Sequence, residues 1–268
     1  MEQHSLVDLA NQGYRLYQES QHERCIDVLN TVIEAYDPFA LGLGNVYQTR
    51  AKALTALDRY PEAIADFSHY IERDTIGTQD PLGPHTLRGL LLLATGQFQG
   101  AIQDFSFAMT MDHEGWDDDV HAHSCGMAYE KLRQAERAKK YFEIAKMGPQ
   151  TQEGKTLFGK GLIRLFSLRR DGARMCFSDM LQWEPDCAAA QHYLGVCALF
   201  ANAEAAALDY FQKAINLCPS YIKAYQLLSH TCRAKGYESS AQDYHRRADI
   251  LIQEQFRVRQ QMLRGLAS

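Results

Sequence analysis

Two histidines and a cysteine lie close enough together in the sequence to suggest a metal site. The segment His121-x-His123-x-Cys125 offers imidazole and thiolate donors, which zinc prefers in proteins. In a helix each residue turns by about 100°, so His121 and Cys125 share a face while His123 points about 200° away. One helix cannot bring all three to one ion, so we predict no metal site, with Cys125 in the core and the histidines at a loop edge. Zinc held with a ligand from a neighbouring helix remains the alternative.

Residues 148–156, Gly-Pro-Gln-Thr-Gln-Glu-Gly-Lys-Thr, nearly spell a phosphate-binding loop. They place one residue more between the glycines than such loops have, and the segment before them has helical spacing, whereas a phosphate-binding loop follows a β-strand. We predict a turn between helices, with Lys155 in solvent. Because the sequence offers no convincing strand to carry a catalytic triad, a carboxylate pair or a dinucleotide-binding turn, we expect no catalytic residues, no cofactor and no enzyme.

The elements that would hold these residues repeat seven times. Each repeat has a small residue followed twelve positions later by another, in the pairs Gly13/Cys25, Ala51/Ala63, Gly89/Ala101, Gly126/Ala138, Gly161/Ala173, Gly195/Ala207 and Ser229/Ala241. Four positions after the second member comes a bulky apolar or ring side chain, namely Leu29, Phe67, Phe105, Phe142, Phe177, Phe211 or His245. Such spacings put residues on one helix face, and small residues let two helices approach closely where they cross. The pattern predicts pairs of packed helices.

This pattern resembles the tetratricopeptide repeat, a helical hairpin with small and aromatic residues at fixed positions. The resemblance covers nearly the whole chain and is tightest in 126–145 and 194–219. It implies an all-α fold, a right-handed α-solenoid of antiparallel helical hairpins in a single domain over residues 1–268. The repeats are expected at 6–39, 44–77, 82–115, 119–152, 154–187, 188–221 and 222–255, with a capping helix that extends over 249–264.

The resemblance also implies a site, because in this family the first helices of the hairpins line a concave groove. Transferring those positions gives an apolar floor that consists of Leu90, Leu93, Met127, Phe158, Leu162, Leu165, His192, Val196 and Leu199. The rim would consist of Lys52, Lys155, Lys223, Gln226, His230 and Arg233. We expect a non-catalytic interaction scaffold or assembly adaptor that binds a helix or apolar peptide segment of another protein. The alternative is that neighbouring repeats bury the apolar stripe as core.

Charge is divided unevenly along the chain. Residues 1–120 hold 19 Asp and Glu against 7 Lys and Arg, and residues 121–268 hold 14 against 21, within a net charge of −5. The acidic end of one copy could meet the basic end of another, so a homo-oligomeric scaffold is an alternative function. A metal-binding or enzymatic helical-repeat protein centred on the His121 segment is a further alternative. The basic stretch 131–174 lacks a recognition motif, so we expect no nucleic acid partner.

The cysteines and the apolar runs bear on location. The seven cysteines include no CxxC pair and fall largely at packing positions, which indicates buried thiols in a reducing compartment. No apolar run reaches the length that spans a bilayer, and the first residues lack a basic-then-apolar signal. We expect a cytoplasmic protein without direct membrane insertion.

Overall fold

The computed structural model describes residues 3–35, 44–73, 82–111, 118–145 and 147–266. All regular structure in these ranges is helical, which confirms the predicted all-α fold. The helices are α1 (Gln3–Gln18), α2 (His22–Ala35), α3 (Gly44–Ala56), α4 (Tyr60–Arg73), α5 (Leu82–Ala94), α6 (Phe98–Met111), α7 (Asp118–Lys131), α8 (Ala135–Ile144), α9 (Gln152–Phe166), α10 (Arg170–Trp183), α11 (Ala188–Phe200), α12 (Glu204–Leu217), α13 (Ile222–Ala234) and α14 (Glu238–Leu266).

The small residues are where the helices of a hairpin meet. A Cβ built on Gly89, Gly161 or Gly195 would lie 2.7, 2.6 or 2.5 Å from the ring of Phe105, Phe177 or Phe211. These distances are too short for any real side chain, so glycine is required for the ring to pack across the hairpin. In the first hairpin Leu29 takes the place of the ring and packs against Gly13 in the same way. The predicted antiparallel hairpins are therefore confirmed.

The turn between the two helices of every hairpin has the same backbone conformation. The residue seven positions after the first small residue has a positive φ in all seven cases: Ser20, Asp58, Gly96, Arg133, Leu168, Asn202 and Gly236. A left-handed residue just after a helix is a common way to end it, because it lets backbone amides reach the last carbonyls. Only two of these seven residues are glycines, so the residue types at these positions do not reveal the turns.

The chain forms two compact units. One consists of residues 1–111, 124–141 and 162–169, and the other of 112–123, 142–161 and 170–268. In the first unit α1 to α6 each pack against the next helix, and in the second unit α10 to α14 do the same. Sequential packing is the arrangement expected of stacked hairpins. The single domain and the seven repeat boundaries stay predictions, and several boundaries lie outside the described residues.

The last hairpin differs from the others. Ser229 stands at the small position, and its Oγ donates a hydrogen bond to the Ala241 carbonyl oxygen over 2.8 Å, so this hydroxyl bridges α13 and α14. His245, at the position of the packing ring, is exposed, so this hairpin lacks the glycine-to-ring contact described above for three others. The helix continues through the predicted capping extension at 249–264 without a break.

Candidate functional site

The predicted groove floor falls into a buried and a half-buried set. Leu90, Phe158, Leu162, Leu165 and His192 are buried, whereas Leu93, Met127, Val196 and Leu199 are half-buried. Leu162 has no exposed surface at all. At the five buried positions the side chains are part of the core, which is the alternative given above. They have almost no accessible surface for a partner. A binding role for the half-buried four stays a prediction.

Aromatic packing in the second unit explains two of the buried positions. The ring of Phe158 meets those of Tyr193, at 5.7 Å between centroids, and Phe177, at 6.3 Å, both edge-on. His192 packs against Phe211 and Tyr221 at 5.6 and 4.8 Å. The contacts with Phe177 and Phe211 are within a hairpin, whereas those with Tyr193 and Tyr221 reach the next hairpin, so Phe158 and His192 pack both inside and between hairpins.

The predicted rim also divides. His230 and Arg233 are exposed, and Lys52, Lys223 and Gln226 are half-buried. Lys155, which we expected in solvent, is only 7% exposed, and its Nζ lies 4.2 Å from the centre of the Phe142 ring. A cation over an aromatic face gains a favourable electrostatic contact that offsets part of its desolvation.

The resemblance to a phosphate-binding loop has a structural explanation. Glu184, at the end of α10, accepts hydrogen bonds from the backbone amides of Gln150 and Thr151 at 2.8 and 2.7 Å, and from the Thr151 hydroxyl at 2.5 Å. A Cβ on Gly154 would collide with the same carboxylate. The start of α9 thus binds an anion that the chain itself supplies, as helix N-termini do. This confirms the predicted turn and leaves no room for a phosphate.

The histidines of the proposed metal motif are not at a loop edge. His121, His123 and Cys125 are all completely buried. Burial raises the pKa of the Cys125 thiol to about 12, and the thiol is hydrogen-bonded to Ser106, so it belongs to the core as predicted. Among the described residues, no group of three or more His, Cys, Asp or Glu side chains could hold a metal ion.

His123 has an unusual environment. Its ring lies 5.2 Å from those of both Phe142 and Phe158, and the Gly148 backbone closes over Nδ1. Neither ring nitrogen has a hydrogen-bond partner among the described residues. Burial, and to a lesser extent the Lys155 charge, lowers the pKa of His123 to about 3. The imidazole is therefore neutral near pH 7 and packs as an aromatic ring.

Sequence reasoning missed a set of polar contacts between hairpins, which we call rungs. In the first rung, Arg50 binds both carboxylate oxygens of Asp66 at 2.6 and 2.7 Å and reaches Asn30 of the preceding hairpin at 2.7 Å. In the second rung, Arg88 binds Asp104 at 2.7 and 2.8 Å and reaches Ser68 at 3.0 Å. The positions recur: an arginine before the first small residue, an aspartate three after the second, and a polar residue five after the second in the previous hairpin.

In later hairpins the positions that form the two arginine rungs are occupied by other residues. Around the third rung, Cys125 and Tyr141 are hydrogen-bonded to Ser106. In the last hairpin the Tyr244 hydroxyl donates to Gln212 Oε1 of the preceding hairpin at 2.8 Å. The arginine rungs bury carboxylates, since Asp66 and Asp104 are at most 3% exposed, whereas the later rungs contain no such carboxylate.

One part of the predicted groove that keeps accessible surface lies on α11 and α13 in the second unit. We call it the α11–α13 stripe, and it consists of Val196, Leu199, Lys223, Gln226, His230 and Arg233. Val196 and Leu199 pack on a cluster that contains α13 residues such as Ala224 and Leu228. Half-buried apolar side chains and basic side chains thus belong to one packed region, and the Arg233 side chain is half exposed.

Three features together decide the fold: the repeated glycine-to-ring contacts, the left-handed residue shared by the turns, and the packing of each helix against the next. The chain has the tetratricopeptide-repeat fold. No protein-family profile matches it, and no curated protein matches it.

Solved structures with a loose overall similarity exist. A tetratricopeptide repeat protein from Parabacteroides merdae superimposes with a TM-score of 0.46 at 14% identity, covering 94% of this chain and 97% of that one. MamA superimposes with a TM-score of 0.39 at 18% identity, covering 63% of this chain and 96% of that chain. A complex of the yeast Sti1 TPR2AB domain with an Hsp90 peptide gives 0.38 at 18% identity, with 94% and 93% covered. At these scores the assignment of the fold depends on the contacts within the chain itself.

The described part of the chain contains no helix that combines the length and apolar character needed to cross a bilayer. None of the seven cysteines forms a disulfide, and all but the half-buried Cys218 are buried. The cytoplasmic location stays a prediction.

Proposed function

We propose that the chain is a non-catalytic protein-interaction module that holds a segment of a partner protein along the α11–α13 stripe. The observation that carries this proposal is that half-buried apolar side chains on α11 and accessible basic side chains on α13 belong to one packed region. Apolar surface beside positive charge offers a partner both burial and charge complementarity.

The chemistry of the stripe indicates which segment would bind. Val196 and Leu199 are one helical turn apart and half-buried, which gives a floor for two apolar side chains. Lys223 and Arg233 on α13 make the other side basic, so acidic residues would be favoured by charge complementarity. The proposed partner is a short helix or extended peptide that combines apolar anchors with Asp or Glu.

The test is selection of binding peptides from a displayed random library, followed by measurement of their affinities. We expect the selected peptides to combine apolar and acidic residues, and their affinity to fall several-fold for Arg233→Glu and with rising salt. Arg174→Glu, an exposed arginine on α10, is the matched control and is expected to leave affinity unchanged. Peptides that bind the wild type and Arg233→Glu equally well would refute the assignment of the stripe.

The same sample distinguishes the homo-oligomeric alternative. If no peptide is enriched and the mass measured by light scattering rises as salt is lowered, contacts between the acidic and basic ends of two copies replace the proposed function. If the mass stays that of a monomer at every salt concentration and the selected peptides are acidic, the result supports peptide binding by the α11–α13 stripe.

A further inference from the structure

The connection between α6 and α7 combines the two kinds of residue that suit the α11–α13 stripe. Residues 112–117 lie outside the described residues, and together with their flanks, as 111–119, they contain Trp116 and five acidic residues but no lysine or arginine. The other two long connections, 36–43 and 74–81, hold one and two acidic residues and no tryptophan. One segment of this chain therefore carries a large apolar side chain within a dense negative charge.

The stripe complements this segment in both respects. Val196 and Leu199, one helical turn apart and half-buried, provide an apolar floor on which a single large ring can lie. Lys223 and the exposed Arg233 bring positive charge to the same packed region, so negative charge on both sides of the ring would be favoured. An aromatic anchor surrounded by polar contacts is a common way to concentrate binding energy.

Contacts within the second unit place the stripe too far from this segment for the two to meet on one chain. The ring of His123 on α7 lies 5.2 Å from that of Phe158 on α9, and Phe158 lies 5.7 Å from Tyr193 on α11, so α9 lies between α7 and α11. Packed helices are about 8–10 Å apart, so α7 and α11 are separated by roughly 16–20 Å. A connection of six residues that is held at both ends extends over about three residues, or roughly 10 Å. The stripe that it reaches must therefore belong to a second copy.

We propose that residues 111–119 of one copy bind the α11–α13 stripe of a second copy, with Trp116 on the apolar floor and the acidic residues beside α13. The inference rests on the proposed function, since it identifies the bound segment as one that the chain itself supplies. Each copy has one such segment and one stripe, so the contacts join copies head to tail and can extend beyond a dimer. A general attraction between acidic and basic halves would not depend on one tryptophan.

The test is sedimentation velocity over a range of protein concentrations, with helicity checked by circular dichroism. Trp116→Ala removes the anchor, whereas His230→Glu/Arg233→Glu places negative charge on the stripe at two exposed positions of α13. Trp183→Ala is the matched control, because Trp183 is the other tryptophan of the chain and is 59% exposed at the end of α10. The peptides selected from the displayed library are tested for binding to the same samples.

We expect the mass of the wild type and of Trp183→Ala to rise with concentration and to fall toward that of a monomer in high salt. Trp116→Ala should weaken self-association by roughly tenfold or more, because an aromatic anchor carries much of the energy of such a contact. The stripe variant His230→Glu/Arg233→Glu should also be deficient. An equimolar mixture of these two deficient variants should nevertheless form a dimer and nothing larger, because it retains one working segment and one working stripe.

Three results would overturn the inference: a wild type that stays monomeric at every concentration, association of Trp116→Ala that equals that of the wild type, or a mixture that stays monomeric. If a monomeric wild type binds the selected peptides more weakly than Trp116→Ala does, the segment occupies the stripe of its own chain instead. If both bind them equally, the inference is wrong and the proposed function stands. If neither a peptide nor a second copy binds, both are wrong.

Discussion

Acidification from pH 7 to pH 5 is expected to destabilise the protein through His123. The folded-state pKa is about 3, whereas a histidine in an unfolded chain titrates near 6.5. As the pH falls below about 6.5, His123 takes up a proton in the unfolded chain but not in the folded chain. The stability contributed by His123 is therefore fully present above about pH 6.5 and is lost between about pH 6.5 and pH 3.

The magnitude follows from the difference in pKa. Each pH unit below the unfolded value costs about 1.4 kcal/mol, so at pH 5 the loss attributable to His123 is about 2 kcal/mol, and at pH 3 it is about 4 kcal/mol. The interval from pH 7 to pH 5 is the useful one, because most carboxylates remain ionised there.

The assay is urea denaturation at pH 7 and pH 5, followed by circular dichroism, for the wild type and His123→Leu. Leucine keeps the site apolar and removes the titrating group, so the variant should lose about 2 kcal/mol less than the wild type over this interval. His230→Leu removes an exposed histidine from α13 and controls for the loss of a histidine as such. Parallel losses in the wild type and His123→Leu would refute the reasoning.

Three further substitutions test the contacts between helices. Gly195→Ala should lower stability by roughly 1–3 kcal/mol in thermal melts, because its Cβ would lie 2.5 Å from the Phe211 ring. Arg88→Leu should cost roughly 3 kcal/mol in urea denaturation, because it leaves the Asp104 carboxylate buried without its guanidinium partner. Glu184→Ala should cost about 1 kcal/mol and speed hydrogen exchange at the start of α9, where it removes the acceptor of two backbone amides.

Each of these has a matched control. Gly100→Ala in α6 places its Cβ near only the flexible end of Leu92 and should be close to neutral, so an equal cost would contradict the close-approach explanation. The double variant Arg88→Leu/Asp104→Leu should recover part of the stability lost in Arg88→Leu, because the buried carboxylate is gone and only His85, 2.8 Å from Asp104 in the wild type, loses a contact. Asp179→Ala removes another, exposed acidic residue from α10 and should not change exchange at α9.

The hairpins could be predicted from the sequence because their determinants are local. Gly161 and Phe177 lie only sixteen positions apart, and the same pair of residue types recurs at the same spacing along the chain. The arginine rungs are local in the same sense. The spacing of Arg50 to Asp66 equals that of Arg88 to Asp104, and this repetition was the signal that could have revealed them.

Burial of the groove positions could not be predicted, because it depends on how closely the helices of adjacent hairpins pack. The residues that flank Leu162 in the sequence are the same whether its helix face is exposed or covered, so they do not indicate its burial. The contact of Arg169 with Asp58 does not follow the spacing of the repeats, so the sequence gives no sign of it. Lys155 and His123 were wrongly expected near solvent for a related reason. Each is polar by type but is surrounded by rings from other helices, and neighbours of that kind appear only after folding.

The rungs have a consequence for how this chain can change over evolution. An arginine rung takes its arginine and its aspartate from one hairpin and its third residue from the preceding hairpin. Duplicating or deleting a whole hairpin between α1 and α6 would therefore keep each arginine with its carboxylate and change only the polar residue that the arginine reaches. Because Arg50 reaches an asparagine and Arg88 a serine, either residue type meets that requirement, so the match between neighbouring hairpins depends on a single polar side chain.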